Sequence, residues 1–298
     1  MKLSRAVWYM VASALGFSIM SMLVKIASAR LPTGEIVLAR AVVTLVASYV
    51  MVRRANLPLW GTNKRGLAFR GILGFGGLSL YYLSLAHLPL ADATTIQNTT
   101  PLLTSLLAWW VLKESVGWST AFALACGIGG VTLIVHPSGT GLDPVGVAIG
   151  IGAACCSAVA YVTVRQLART EHPLVIVWYF PLFATPLVVP WAIATWKTPE
   201  PIEWLLLVAI GLSTQIGQVF MTMAVAIERV GRVTSVGYIQ VAFAMIWQWV
   251  IFASPPTLWT IAGATLIVAG TTVIALVSAN RGADGSPSRA ATPPVTRA

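Results

Sequence analysis

Ten long apolar runs constrain the fold of this 298-residue chain more than any other feature. Each run has about 20 mainly apolar residues, the length that a helix needs to cross the hydrocarbon core of a bilayer. Only 9% of the residues are charged, against roughly 25% in an average soluble protein. The runs therefore cannot be the cores of soluble domains, and the sequence predicts an all-α integral membrane protein of the cell (inner) membrane.

Short segments rich in proline, glycine and polar residues separate the predicted spans. The spans cover residues 6–27, 34–52, 66–86, 91–111, 117–135, 145–166, 173–196, 203–227, 232–252 and 257–278. We expect a cytoplasmic N-terminus at 1–5, a first five-helix repeat at 6–137, a second at 145–278 and a disordered cytoplasmic tail at 279–298.

The basic residues predict the orientation of these spans. A cytoplasmic N-terminus places most of the 19 basic residues inside, namely Lys2, Arg5, Arg53, Arg54, Lys64, Arg65, Arg70, Lys113, Arg165, Arg169, Arg229, Arg232, Arg281, Arg289 and Arg297. Only Arg30 and Lys197 then lie outside, while Lys25 and Arg40 fall within spans. Because Lys and Arg collect in cytoplasmic loops, both termini are predicted to be cytoplasmic. Topology thus explains the net charge of +10, and a nucleic-acid partner is not expected.

The two halves of the chain align without a gap when Lys25 is placed on Arg165 and Asn98 on Tyr238. Each half then holds five predicted spans. Because five is odd, the second half must be inverted relative to the first. Inverted repeats are a structural device of transporters, since two similar halves of opposite orientation can exchange conformations around a central site.

Several motifs in the first half are typical of one transporter group. They are Tyr81–Ala86, Leu88–Thr94, Pro101–Leu103, Trp110–Glu114 and Gly127–Ile134, together with Arg40 in the second span. On these residues the chain resembles the drug/metabolite transporter superfamily, in particular its ten-helix EamA-type members. The second half departs from the pattern, because Ser254 stands at the place matching Glu114. The resemblance implies a central cavity formed by spans 1–4 and 6–9, and movement of small metabolites, often outward.

Arg40 is the most notable polar residue within a predicted span. A charged residue near mid-bilayer costs about 2.5–3.5 kcal/mol on insertion scales. Its guanidinium could bind a carboxylate or phosphate of a substrate with two hydrogen bonds. Pairing with Glu35 and snorkelling toward the outer surface are the structural alternatives.

The start of the fourth span is unusually polar, running from Thr94 to Pro101 with Gln97 and Asn98 at its centre. Proline removes a backbone hydrogen bond and frees a carbonyl in the preceding turn. Broken helices of this kind border the binding sites of many transporters. Polar contacts between helices are the alternative interpretation.

Further candidates for substrate binding are polar or aromatic residues in other spans. Gln215 and Gln218 are three residues apart and share one helix face. In the ninth span, Tyr238 and Gln240 align with Asn98 and Thr100 of the first repeat. The remaining candidates are Tyr82, Tyr161 and Tyr179, which are aromatic with polar ends.

We expect a secondary transporter that exports a small polar or zwitterionic metabolite, such as an amino acid or an opine-like carboxylate. Uptake of a vitamin or nucleoside-like solute such as riboflavin is the alternative function. The sequence contains no HExxH or GxSxG motif and no ATP-binding motif. An intramembrane enzyme is therefore a remote alternative. No catalytic residue, metal site or cofactor is predicted. The expected partners are a small-molecule substrate and the lipid bilayer. A homodimer, and coupling to protons or an exchanged substrate, stay open.

Overall fold

The protein is helical throughout the part covered by a computed structural model, which describes residues 5–88, 96–114, 116–135, 143–253 and 258–284. These residues form eleven helices: α1 (Arg5–Ala27), α2 (Thr33–Arg54), α3 (Lys64–His87), α4 (Thr100–Leu112), α5 (Trp118–Val135), α6 (Pro144–Leu167), α7 (Pro173–Ala194), α8 (Pro201–Ile227), α9 (Val230–Val236), α10 (Ile239–Phe252) and α11 (Leu258–Asp284). The prediction of an all-helical membrane fold is confirmed.

Six segments are long and apolar enough to cross a membrane. They are α1, α2, α6, α7, α8 and the stretch Val230–Ile251, which joins α9 and α10 into the predicted ninth span. Shorter apolar stretches lie within α4, α5 and α11. The last helix extends to Asp284, six residues beyond the predicted end of the tenth span. The rest of the predicted tail lies outside the described residues.

Local sequence signals explain where several helices begin. Proline occupies the first turn of α6, α7 and α8, where a missing backbone N–H costs no hydrogen bond. The side chain of Asp143 caps α6 by accepting the backbone N–H of Val145 at 3.0 Å. This hydrogen bond, more than any other effect, holds the pKa of the Asp143 carboxyl below its ordinary value. The His172 ring nitrogen accepts the N–H of Leu174 at the start of α7.

Helix pairing follows the two-repeat organisation that the sequence predicts. The first helix of each repeat packs against the third helix of the other, giving the pairs α1 with α8 and α6 with α3. The second helices, α2 and α7, pack against each other, as do the fifth helices, α5 and α11. The fourth spans meet through α4 and α9. The two repeats therefore interlock across an approximate two-fold axis.

Two close helix crossings show the same symmetry at the level of single residues. A Cβ atom added to Gly71 would lie 2.9 Å from the carbonyl oxygen of Tyr179 and 3.0 Å from the Phe183 ring. A Cβ added to Gly211 would collide with Val43. The repeat aligns Gly71 with Gly211 and Phe183 with Val43. Glycine is required at both crossings because the facing backbone and side chain leave no room for another residue.

The helix ends define two faces of the molecule. The N-terminal face holds the start of α1, the end of α2 and the start of α3, and the opposite face holds the connection from α1 to α2. The largest apolar core lies toward the N-terminal face and includes Val52, Leu67, Ile176 and Val230, each of them inaccessible to solvent. A smaller core around Ile36 and the first half of α8 lies toward the opposite face.

Candidate functional site

Two helix breaks meet in the interior of the protein. The first is a turn at Asn98–Thr99, immediately before α4, and the second is a turn at Gly237–Tyr238, between α9 and α10. The Tyr238 hydroxyl donates a hydrogen bond of 2.6 Å to the backbone carbonyl of Asn98. The repeat aligns these same two residues. The fourth and ninth spans are therefore joined at the positions where their regular helical bonding is interrupted.

The Gln97 side chain lies beside the first break and is only partly satisfied. Its Nε2 donates to the hydroxyl oxygens of Thr100 and Ser157, each at 3.3 Å. Its Oε1 is buried and accepts no hydrogen bond from the described part of the chain. A buried acceptor without a donor is costly, so this amide is available to a polar ligand.

Arg70 lies nearly two turns into α3 and is 3% exposed. Its Nη2 donates a long hydrogen bond of 3.4 Å to Oε1 of Gln218. Its guanidinium carbon lies 5.1 Å from the centre of the Phe180 ring, which is within the range of a cation–π interaction. Nε and Nη1 are buried and have no acceptor among the described residues.

The sequence interpretation counted Arg70 among the cytoplasmic charges, and the structure shows that its side chain is buried inside the protein. Because Arg70 follows Lys64 and Arg65 closely, the sequence groups it with the basic residues of a loop. In the structure α3 already begins at Lys64. The available signal was its position six residues after Lys64, inside the predicted third span. One helical turn takes 3.6 residues, so the side chain is carried away from the helix end and into the protein.

The two glutamines of α8 reach different partners. Gln215 is 5% exposed, and its Oε1 accepts a hydrogen bond from the Ser48 hydroxyl of α2 at 3.1 Å. Gln218 instead faces Arg70 of α3. The predicted shared face of α8 therefore lies between α2 and α3 and supplies one amide to each.

The aromatic candidates divide between the interior and the N-terminal face. Tyr161 of α6 is close enough to Arg70 for the two groups to interact electrostatically. Tyr179 packs against Trp60 and Phe183, with ring centroids 6.3 Å apart in each case. The structure thus places Tyr161 against the largest apolar core and Tyr179 beside the loop between α2 and α3.

The remaining three candidates are less closely tied to the breaks. Arg40 is half-buried in α2 and has an interaction partner of its own. Gln240 is half-buried in the first turn of α10. The backbone of Tyr82 belongs to α3, and its side chain lies outside the described part of the structure.

A polar cluster joins four helix ends at the N-terminal face. The Arg165 Nε donates to Glu114 at 3.1 Å, and its Nη1 donates to the backbone carbonyls of Val225 and Ala226 at 3.1 and 2.6 Å. The second oxygen of Glu114 accepts the backbone N–H of Val230 at 3.0 Å. The cluster holds together the ends of α4, α6 and α8 and the start of α9.

Ion pairs at the opposite face join the α1–α2 connection to the start of α8. Arg30 donates to both oxygens of Glu203, at 2.7 and 3.1 Å, and also pairs with Glu200. The hydrogen bond to Glu203 is the main cause that raises the pKa of Arg30. Nearby, Glu35 is 1% exposed and accepts the backbone N–H of Lys197 at 3.2 Å.

Comparison with known protein families gives a match in both halves of the chain. The profile of the EamA-like transporter family matches residues 4–136 and, a second time, residues 144–276. The two matched ranges correspond to the first five spans and the last five spans.

Individual relatives extend over most of the chain. The pseudopaline exporter CntI of Pseudomonas aeruginosa is 34% identical over 259 residues, which span 87% of this chain and 91% of the exporter. Solute carrier family 35 member G1 of Mus musculus is 32% identical over 282 residues, covering 89% of this chain and 76% of the relative. A solved crystal structure shares the fold with a TM-score of 0.81 over 94% of this chain and 99% of its own, at 19% identity.

Proposed function

Because the chain belongs to the EamA-like transporter family, and is thus a multi-pass membrane transporter, we propose that it exports a small polar or zwitterionic metabolite by alternating access. The favoured substrate class is an amino acid derivative with one or more carboxylates, including opine-like compounds. Similarity to an exporter along 87% of the chain supports the outward direction.

The meeting of the two helix breaks carries this proposal. Polar groups are costly inside a membrane protein and usually face a cavity or a partner. Here Asn98 and Tyr238 join the breaks, and an unsatisfied oxygen of Gln97 lies beside them. Transporters bind substrates near the bilayer midplane, at interrupted helices where two repeats meet. The contact between the breaks fits that arrangement.

The polar clusters at the two faces supply the gates of an alternating-access cycle. We propose that the N-terminal face is cytoplasmic, as the distribution of basic residues predicts. Opening toward the cytoplasm then requires α6 to move away from α4 and α9. This movement breaks the contacts of the Arg165–Glu114 cluster. Opening outward requires Arg30 to leave Glu203. Because each cluster bridges both repeats, relative movement of the repeats breaks one and leaves the other in place.

The substrate-facing surface that we propose has two parts. Gln97, Asn98 and Tyr238 are at the breaks, and Tyr161 and Gln218 lie toward the N-terminal face. Gln215, Arg40, Tyr82 and Gln240 remain candidates that only substitution can decide. Tyr179 is the weakest candidate, because its ring packs against Trp60 beside a loop.

Reconstitution into liposomes tests the function directly. Purified protein is assayed with a panel of amino acids, opine-like carboxylates, nucleotides and flavins, with and without a pH gradient. We expect saturable transport of a carboxylate-bearing solute. Transport of riboflavin with no transport of any acid would favour the alternative, and a covalently altered product would indicate an enzyme.

The direction and the coupling need separate measurements. Efflux from intact cells should exceed influx for the active solute. Acceleration by a pH gradient would indicate proton coupling, for which buried Glu35 is the candidate group. Loss of that acceleration in Glu35→Gln, with transport down a substrate gradient retained, is the expected result, and unchanged acceleration would exclude Glu35.

A further inference from the structure

Arg70 has the properties of a binding site for an anion. We infer that Arg70 binds a carboxylate of the transported solute, an assignment that rests on the proposed transport function. The residue is 3% exposed, and its guanidinium is a cation at neutral pH. Isolated buried charges are strongly disfavoured unless an opposite charge or several hydrogen bonds compensate them.

The chain itself supplies no anion to Arg70 within the described residues. Seven of the nine acidic residues have side chains that the structure describes, and each of these seven interacts elsewhere. The pairs are Glu35 with Lys197, Glu114 with Arg165, Asp143 with His87, Glu171 with Thr62 and Asn63, Glu200 and Glu203 with Arg30, and Glu228 with Arg232. A compensating negative charge for Arg70 is therefore best supplied by a ligand.

The surroundings of Arg70 hold the guanidinium in place without neutralising it. Phe180 stacks on it, and Gln218 accepts from Nη2. Gly74 provides the space, because an added Cβ would lie 3.3 Å from Nη1 and 2.9 Å from the Phe180 ring. An aromatic face and an amide orient a cation but add no negative charge. The group is thus positioned in advance for an anionic partner.

The hydrogen-bonding capacity that remains suits a carboxylate. Two of the three guanidinium nitrogens have no acceptor in the described chain, and the bond from the third is long. A carboxylate can therefore accept an N–H···O bond from Nε or from Nη1, and a second, parallel bond forms if Nη2 supplies the hydrogen that Gln218 does not use. Two parallel bonds are the geometry in which arginine binds a carboxylate most strongly. The amide nitrogen of Gln218 is a second donor beside it.

The test compares one solute with and without its charge. Octopine, which carries two carboxylates, and its dimethyl ester are titrated into protein in lipid nanodiscs by calorimetry. In the wild type we expect the acid to bind about 10- to 100-fold more tightly than the ester, the range that a charge-assisted hydrogen bond gives. In Arg70→Gln the two affinities should agree within about twofold, because the discriminating charge is gone.

Two further variants separate binding from folding. Arg54→Gln removes an exposed charge at the end of α2 and should keep the wild-type preference. Arg70→Lys keeps the charge without the planar fork and should give an intermediate preference. If Arg70→Gln does not fold, Arg70→Lys alone tests the assignment. An unchanged preference of Arg70→Lys for the acid over the ester would overturn the two-bond geometry.

Four results would count against the assignment. If Arg70→Gln still prefers the acid as strongly as the wild type, Arg70 does not bind the carboxylate. If acid and ester lose affinity equally, the residue has only a structural role. If inorganic phosphate competes better than octopine, the anion class is wrong. If neither octopine nor any acid of the transport panel binds the wild type, the proposed function fails together with this inference.

Discussion

Two arginines toward the N-terminal face of the molecule, Arg70 and Arg165, differ in how the protein satisfies them. Arg165 bonds to Glu114 and to two backbone carbonyls at converging helix ends. Arg70 is more deeply buried, and among the described residues it has a cation–π contact and one long hydrogen bond. Burial alone does not distinguish a structural arginine from a ligand-binding one. We distinguish the two by the number of acceptors that the protein supplies to each guanidinium.

The same contrast separates the uncharged polar groups at the helix breaks. The Tyr238 hydroxyl has a short bond to Asn98, and this bond fixes one break against the other. The Gln97 amide uses its nitrogen within the protein and leaves its buried oxygen without a described donor. At the breaks we therefore expect the Tyr238 hydroxyl to contribute mainly to stability and the Gln97 amide mainly to substrate binding.

Replacing the two arginines with methionine should give the largest difference. Arg165→Met leaves Glu114 and two carbonyls without their donor and should lower the free energy of unfolding by about 3 kcal/mol, near the lower end for broken buried pairs because this pair is partly exposed. Arg70→Met removes an uncompensated buried charge and should leave the free energy of unfolding unchanged or raise it. Denaturant unfolding in detergent micelles measures both. Equal losses of unfolding free energy in the two variants would contradict the difference that we draw between Arg165 and Arg70.

Tyr238→Phe should have the next largest effect on stability. It removes the hydroxyl that satisfies the Asn98 carbonyl and should cost about 1–2 kcal/mol, the penalty for leaving a buried acceptor unbonded. Tyr49→Phe, at an exposed tyrosine of α2, is the matched control. A Tyr238→Phe protein as stable as this control would show that the breaks do not depend on their hydrogen bond.

In contrast to Tyr238→Phe, Gln97→Leu should change the stability little and the transport activity strongly. Both of its hydrogen bonds are long, so we expect a stability change below about 1 kcal/mol. Transport of the active solute should fall at least about tenfold, equivalent to one lost hydrogen bond in the bound state. Transport in proteoliposomes at wild-type rates would exclude Gln97 from the site.

The Arg30 cluster should show the smallest effect on stability. Its ion pairs are exposed, and exposed pairs contribute little because solvent and salt screen them. Arg30→Gln should leave the melting temperature unchanged at physiological salt while altering the rate of outward opening. A clear drop in melting temperature that disappears at high salt would show that this face is held more firmly than its exposure suggests.

The sequence predicted the helical spans and the repeat because both follow from patterns that span many residues. The aligned glycines Gly71 and Gly211 show how faithfully the repeat is kept in the packing. The sequence did not predict Arg70 as a binding residue, because that role depends on whether its neighbours carry a negative charge. Which residues become its neighbours is a property of tertiary packing. The alignment of Asn98 with Tyr238 predicted equivalent positions, but not that the two residues would touch.

The repeat also shows where the two halves have diverged. Arg40 of the first repeat aligns with Phe180 of the second, and Arg70 aligns with Ile210. The two equivalent crossings, α3 with α7 and α2 with α8, therefore each contain one arginine of the first repeat, and the guanidinium of Arg70 lies over the ring of Phe180. Because Arg40 is half-buried and has its own partner, Arg40→Gln should reduce transport less than Arg70→Gln. The opposite order would favour Arg40 as the main anion site.

Stabilisation of the protein by a bound solute tests the central claim most directly. A ligand that binds only the folded state at 100 times its dissociation constant stabilises it by about 2.7 kcal/mol. We predict that octopine at this concentration raises the melting temperature of the wild type and of Arg54→Gln by several degrees, roughly as that energy implies. In Arg70→Gln the rise should be clearly smaller, because binding that is 10- to 100-fold weaker leaves only about 0.4–1.4 kcal/mol of stabilisation. An equal rise in Arg70→Gln would contradict the assignment of the unsatisfied arginine to substrate binding.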